Sequence, residues 1–294
     1  MKIAVIGAGN VGAMVAGRVV DAGLADVVLI DIAPGLAKGK ALDISDSRPI
    51  TGSLSKIEGS EDLKATQGAG IVVVTAGLAR KPGMSRDDLL RKNSEIIKDV
   101  SGKIKRYSPS AIVIVVTNPL DAMTYLAMKT TGFEPARVIG MAGVLDSARF
   151  MNAVSPDIAV TQDEKVFMMG SHGDTMVAIN RSDGLDDKIF KQGAERARNR
   201  GAEIVGHLKT GSAYFAPSAA VFYMLKAILK NENRTVCCSA YLQGEYGEKD
   251  IYIGVPVVLG SSGVVRIIEI EFTEQEKKAF KKSVSQIHET IAKI

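Results

Sequence analysis

The chain has 294 residues, of which 46% are hydrophobic and 24% are charged, and this composition is typical of a compact globular protein with two domains. Its formal net charge is only +4, and the basic residues are scattered, which argues against a nucleic-acid-binding protein. The longest apolar runs, near residues 71–74 and 111–116, are too short to cross a bilayer, so no membrane partner is expected.

The first half alternates short runs of Val and Ile with segments of helical period. We predict strands at 2–6, 26–31, 71–76, 111–117 and 137–140, and helices at 10–22, 36–46, 86–106 and 119–131. Continuous β-branched strands separated by helices favour a parallel sheet that is covered on both faces. The sequence therefore predicts a doubly wound α/β domain over residues 1–140.

The pattern changes after Gly143. We predict a helix at 144–154, mixed β segments near 157–170, helices at 186–208 and 213–230, a glycine-rich β stretch from residue 250, and a closing helix. Thr273 and Glu276 have the spacing of a capping box at the start of that helix. Residues 141–294 are thus predicted to form a second, α+β domain.

Gly7, Gly9 and Gly12 form the segment GAGNVG between the first strand and the first helix. This placement is typical of a Rossmann-type dinucleotide site, in which the pyrophosphate lies at the helix N-terminus. Asp31 ends the second strand, where a carboxylate binds the adenosine ribose hydroxyls and repels a 2′-phosphate, so NAD is favoured over NADP. The alternative is a structural glycine turn followed by a solvated aspartate.

Cys237 and Cys238 are adjacent, and neighbouring cysteines rarely reach disulfide geometry. We expect two free thiols in a reducing compartment. The three histidines lie far apart and no metal-ligand spacing occurs, so no metal is predicted. The N-terminus leads directly into the first strand without the features of a secretory signal, which predicts a cytoplasmic protein.

Five segments resemble the lactate/malate dehydrogenase family in order and approximate spacing: GAGNVG, TAGLARKPGMSRDDLL, VTNPLD, GVLDSARF and GSHGDT. The resemblance covers nearly the whole chain. It implies an NAD-dependent oxidoreductase that acts on small 2-hydroxy acids. It also implies further cofactor contacts, at Asn10, Val11, Thr75, Ala76, Gly77, Asn93, Val116 and Asn118.

His172 lies in GSHGDT, and by resemblance it is the base for alcohol oxidation and the acid for ketone reduction. A lone loop histidine would otherwise be structural. Asp146 and Arg149 are three residues apart, so on a helix they share a face and could form a simple ion pair. The resemblance instead assigns Asp146 to orient His172, and Arg149 to hold the substrate's C1 carboxylate.

The segment GLARKPGMSR is predicted to be a loop, with Ser85 and Asp88 suggesting the cap of the next helix. Basic residues in such a loop can be merely solvated. By resemblance this loop is a lid, in which Arg86 polarises the reacting C–O bond and Arg80 binds a second carboxylate. Arg80, together with the small Ala213, favours malate and oxaloacetate over lactate and pyruvate.

Asn118 ends the fourth predicted strand, where an asparagine is often only a turn former. By resemblance it binds the substrate oxygen and helps to place the nicotinamide. The family pattern also implies a homodimer or homotetramer and a role in the tricarboxylic acid cycle. The alternatives are a lactate dehydrogenase, another 2-hydroxy acid dehydrogenase, or a non-catalytic dinucleotide-binding regulator.

Overall fold

The computed structural model describes residues 1–78, 84–154, 166–181 and 185–294. Its strands are β1 (Lys2–Ile6), β2 (Asp26–Ile30), β3 (Ile57–Ser60), β4 (Ile71–Val74), β5 (Ile112–Val115), β6 (Val138–Gly140), β7 (Val166–Met169), β8 (Val177–Asn180), β9 (Arg234–Gln243), β10 (Lys249–Gly260) and β11 (Gly263–Ile267). Its α-helices are α1 (Asn10–Asp21), α2 (Leu36–Thr51), α3 (Arg86–Tyr107), α4 (Leu120–Thr131), α5 (Gly143–Val154), α6 (Asp187–Leu208), α7 (Phe215–Leu229) and α8 (Glu274–Ile291).

The first half forms the predicted parallel sheet. Its strands lie in the order β6-β5-β4-β1-β2-β3, and every neighbouring pair is parallel. β4 and β5 are buried along their whole length, which explains why their sequences, IVVV and IVIV, are continuous rather than alternating. Strand order reverses between β1 and β4, and the crevice at such a switch point is where open α/β sheets bind ligands.

The second half extends the same sheet. β9, β10 and β11 add antiparallel strands beyond β6, and Gly140 pairs with Ser239 where β6 meets β9. β9 and the short edge strand β3 were not predicted from the sequence. β7 and β8 form a separate antiparallel pair, and the predicted strand residues 157–165 lie outside the described residues.

Two predicted helix starts are confirmed at the level of individual hydrogen bonds. Ser85 and Asp88 form a capping box at the start of α3, and Thr273 and Glu276 form one at the start of α8. Each box pairs two backbone amides that would otherwise lack a partner within the helix. These caps fix the first turns of α3 and α8.

Candidate active site

The glycine turn after β1 has the geometry that a dinucleotide needs. Gly7 has φ +104°, and a Cβ there would lie 2.6 Å from Thr75 Oγ. A Cβ at Gly9 would meet nothing within 4 Å, so this residue faces open space. Gly9 is the N-cap of α1 and no side chain of the described residues caps that helix. The first backbone amides of α1 and the positive end of its dipole therefore face a space that suits a diphosphate.

Asp31 follows β2 at the same edge of the sheet. Its carboxylate accepts hydrogen bonds from the amides of Ala8 (2.7 Å) and Ala33 (2.9 Å). Lys40 Nζ donates to the carbonyl of Ala8 at 2.8 Å. The carboxylate is thus fixed beside the glycine turn, a position from which it can meet an adenosine ribose.

The ends of β4 and β5 are tied together by a buried amide. Asn93 Nδ2 donates to the carbonyls of Leu78 (3.2 Å) and Asn118 (2.7 Å), while its Oδ1 accepts from the amide of Leu78 (2.8 Å). Thr75 Oγ donates to the carbonyl of Gly7 at 2.9 Å. Asn93 therefore holds the backbone of Asn118, which is itself an exposed residue.

The other predicted cofactor contacts lie around this crevice. Asn10 and Val11 form the first turn of α1, while Ala76, Gly77 and Val116 follow β4 and β5. All of them are at least partly exposed. They border the same strand ends as the glycine turn.

His172, Asp146 and Arg149 form one hydrogen-bonded chain. His172 Nδ1 lies 2.7 Å from Asp146 Oδ2, and Arg149 Nη1 lies 3.3 Å from Asp146 Oδ1. The Asp146 side chain is only 3% exposed, and the histidine and arginine side chains are 18% and 13% exposed. The ion pair that a helical i,i+3 spacing allows is therefore present, and the same carboxylate also holds the histidine.

These surroundings favour the protonated histidine. Burial by itself lowers the pKa of His172, but the charge of Asp146 and its hydrogen bond outweigh that effect, and the net pKa is raised above its ordinary value. Asp121 adds to the increase, whereas Arg149 opposes it. An imidazole in this setting can exchange a proton near neutral pH.

Asp121 is a site residue that the sequence analysis missed. It lies in the first turn of α4, is 4% exposed, and accepts a hydrogen bond from the backbone amide of His172 at 3.0 Å. Ser239 Oγ donates to its other oxygen at 2.7 Å. The available signal was a lone carboxylate in the first turn of a helix whose first two turns are mostly apolar, within the segment VTNPLD.

A cavity of about 410 Å³ lies beside His172. It is bordered by Asn118, Arg86 and the last turns of α8, and a cavity of this size suits a small ligand. Arg86 pairs with Asp174 at 3.3 Å, and the two side chains are 73% and 77% exposed. The structure thus brings Arg86, Asn118 and His172 to one cavity, while Arg149 reaches the histidine through Asp146.

Arg80, predicted to bind the second carboxylate, lies outside the described residues, as do the other residues of the predicted lid from 79 to 83. Cys237 and Cys238 are free and buried. Among residues 1–78, 84–154, 166–181 and 185–294, no group of three or more His, Cys, Asp or Glu side chains could hold a metal ion. In the same ranges, no helix is long and apolar enough to traverse a lipid bilayer.

Comparison with known families accounts for this arrangement. Residues 1–140 match the family model of the lactate/malate dehydrogenase NAD-binding domain, and residues 143–294 match that of the α/β C-terminal domain. The chain belongs to the lactate/malate dehydrogenase family. As a member of this family it is an NAD-dependent oxidoreductase, and its glycine turn lies in the NAD-binding domain.

Individual members of the family resemble the chain over nearly its full length. A malate dehydrogenase of Desulforudis audaxviator is 45% identical, over 97% of this chain and 96% of that protein. The apo structure of the malate dehydrogenase from Picrophilus torridus has a TM-score of 0.93 and 41% identity, covering 99% of this chain and 96% of that one. A Cryptosporidium parvum lactate dehydrogenase solved with lactic acid and NAD has a TM-score of 0.93, 37% identity and the same coverage.

Proposed function

We propose that the chain is an NAD-dependent malate dehydrogenase, which catalyses reversible hydride transfer between (S)-malate and NAD to give oxaloacetate. The observation that carries the proposal is the buried chain of His172, Asp146 and Arg149, with a 2.7 Å contact between imidazole and carboxylate. This hydrogen-bonded group combines a proton carrier, His172, with a carboxylate-binding cation, Arg149. The names of the relatives favour malate as the substrate.

His172 is the proposed proton carrier. Because its Nδ1–H is directed to Asp146, Nε2 carries the lone pair that accepts the hydroxyl proton of malate. The Asp146 carboxylate then stabilises the imidazolium, and it also fixes the plane of the ring. In the reverse direction the imidazolium donates this proton to the oxygen of oxaloacetate.

Three arginines and one asparagine are the proposed substrate ligands. Arg149 binds the C1 carboxylate through its planar guanidinium, which has further N–H donors besides the one that contacts Asp146. Arg86 would leave its exposed pair with Asp174 to polarise the reacting C–O bond, and Asn118 would donate to the same oxygen. Arg80 is assigned to the second carboxylate from the sequence alone.

The residues of the glycine turn fit NAD, as the open space at Gly9 and the uncapped start of α1 indicate. Bound NAD supplies the hydride acceptor at its nicotinamide ring. Gly7, Gly9 and Gly12 let the backbone approach the diphosphate, and Asp31 binds the adenosine ribose. The Asp31 carboxylate would repel a 2′-phosphate, so we infer a preference for NAD over NADP.

Rates of NADH oxidation with oxaloacetate, with pyruvate and without an added acid test the proposal. We expect rapid turnover only with oxaloacetate, because the Arg80 guanidinium would face an uncharged methyl group in the pyruvate complex. Faster turnover with pyruvate would support the lactate dehydrogenase alternative, and no turnover with either acid would refute the enzyme assignment. The Arg80→Gln variant should shift preference towards pyruvate, whereas unchanged discrimination would refute the role of Arg80.

We further infer a homodimer or homotetramer, a cytoplasmic location and a role in the tricarboxylic acid cycle. Large apolar side chains on and just after α2 support self-association, since Leu42 is 68% exposed and both Ile50 and Leu54 are 88% exposed. Multi-angle light scattering of the purified protein would distinguish monomer, dimer and tetramer. A monomer at all concentrations would contradict the inference.

A further inference from the structure

Asp121 is a buried carboxyl group in a mostly apolar part of the protein. It is 4% exposed in a helix whose other residues in the first two turns are mostly apolar, and burial raises the pKa of this carboxyl group. Burial of a carboxyl group is unfavourable unless its oxygens are paired, and a well-packed apolar side chain at the same position is often at least as stabilising. Its contacts indicate what that role is.

Both oxygens of Asp121 accept hydrogen bonds from the second half of the chain. One accepts from the backbone amide of His172 (3.0 Å) and the other from Ser239 Oγ on β9 (2.7 Å). Burial leaves the net pKa of Asp121 above its ordinary value, and both bonds lower this pKa and so oppose the effect of burial. They favour the ionised form, because a carboxylate offers an acceptor on each oxygen.

The histidine segment is also held from the other side. Ser283 on α8 accepts a hydrogen bond from the amide of Ser171 (3.1 Å) and donates to the carbonyl of Thr175 (2.5 Å). Ser283 carries no charge. Among the described residues, the main chain of segment 171–175 is therefore held by one charged side chain, Asp121, and one neutral side chain, Ser283.

Among the described residues, the charges that act on His172 are the carboxylates of Asp146 and Asp121 and the guanidinium of Arg149. Asp146 and Asp121 raise the pKa of the imidazole, and Arg149 lowers it. The nearby Cys237 thiol stays neutral, because burial raises its pKa well above the ordinary value. Arg86 and Asp174, on the solvent side of the segment, pair with each other. Asp121 therefore adds a second negative charge to that of Asp146, and both oppose the effect of Arg149 on the imidazolium.

We propose that Asp121 is a positioning residue for His172, which anchors the main chain of the histidine and supplies the second negative charge that favours its protonated form. This inference rests on the proposed function of His172 as proton carrier. Asp121 acts through the histidine and need not touch the substrate.

The Asp121→Asn variant tests the proposal, because the amide oxygen can still accept from the His172 amide while the charge is lost. With three histidines in the chain, the ring of His172 can be followed by NMR and assigned by comparison with His172→Asn. We expect the midpoint of its titration to fall by about 0.5 to 1 pH unit. Since oxaloacetate reduction needs the protonated ring, the alkaline limit of kcat/KM should move to lower pH by the same amount.

Ser283→Ala is the matched control, because it removes the neutral anchor of the same segment. We expect it to leave the titration midpoint of His172 unchanged, even if it alters kcat. An equal shift in both variants would overturn the proposal in favour of general loosening of the segment, and an unshifted midpoint in folded Asp121→Asn would overturn it outright.

A measurement on the unaltered protein covers the case in which Asp121→Asn fails to fold. The carbon-13 shift of the Asp121 carboxyl group should show an ionised group at neutral pH, and a protonated group there would overturn the proposal. Failure of the proposed function is a separate result, since it would show as absent oxaloacetate-dependent NADH oxidation in the unaltered protein. The NMR titration reports on Asp121 in either case.

Discussion

Two of the proposed substrate-binding cations, Arg149 and Arg86, differ sharply in their surroundings. Arg149 is 13% exposed and contacts a buried carboxylate that also holds His172. Arg86 is 73% exposed and pairs with Asp174, which is 77% exposed. Buried, mutually paired groups keep their geometry, whereas an exposed ion pair contributes little and separates readily. The proton-transfer side of the site is therefore preformed, and the Arg86 side must be assembled around the substrate.

Removal of the proton carrier should have the largest effect. His172→Asn should reduce kcat in both directions by about 10²- to 10⁴-fold, because general acid–base catalysis is lost. NADH binding, measured by fluorescence titration, should change little. His207→Asn, at an exposed position on α6, is the matched control and should retain full activity. A fully active His172→Asn would eliminate this histidine as the proton carrier.

Arg149→Lys tests the preformed cation while keeping its charge. We expect KM for oxaloacetate to rise by about 10- to 100-fold, which corresponds to about 1.4 to 2.8 kcal/mol of lost binding, since an ammonium cannot make the paired contact of a guanidinium. Steady-state kinetics would measure it. Arg266→Lys, at an exposed position on β11, is the control. An unchanged KM in Arg149→Lys would contradict the assigned role.

Asp146→Asn should change the pH dependence of the reaction. Asp146 contributes to the raised pKa of His172, so its neutralisation should lower that pKa by about one unit or more. Oxaloacetate reduction needs the imidazolium, so its loss of activity with rising pH should begin at a lower pH than in the unaltered protein. Malate oxidation needs the neutral ring, so it should remain active down to a lower pH. Profiles of kcat/KM in both directions measure the shift. A shift to higher pH would reverse the proposed electrostatics.

The smallest effect is expected at the exposed pair. Asp174→Asn removes the partner of Arg86, and kcat/KM for oxaloacetate should change by less than about threefold, because an exposed ion pair is worth little. A loss as large as that of Arg149→Lys would show that the Arg86 side is as rigidly preformed as the Arg149 side. That result would remove the contrast between the two cations.

The predictions from sequence succeeded where a local pattern or a motif decides the structure. The Val- and Ile-rich runs predicted the parallel strands, and the Ser85/Asp88 and Thr273/Glu276 spacings predicted both capping boxes. Motifs also predicted the short distance between His172 and Asp146. In both halves of the chain, structure could be predicted where the hydrophobic period is regular or where a motif combines specific residue types.

The rest depends on packing between distant segments. β9, with the sequence RTVCCSAYLQ, is buried mostly through small residues, so its pattern is weaker than those of the Val-rich strands. Asp121 could be found only from the fold, because its partners, His172 and Ser239, lie 51 and 118 residues away in sequence. No local period encodes such contacts.

β6 and β9 pair at Gly140 and Ser239, so the two halves of the polypeptide share one sheet and cannot be separated without exposing a strand edge. Because β9 covers the free side of β6, the first 140 residues produced alone would present an open strand edge with unsatisfied amides and carbonyls. Asp121 would at the same time lose both of its hydrogen-bond donors. We expect such a fragment to aggregate, so that the nucleotide-binding half depends on its C-terminal neighbour for solubility.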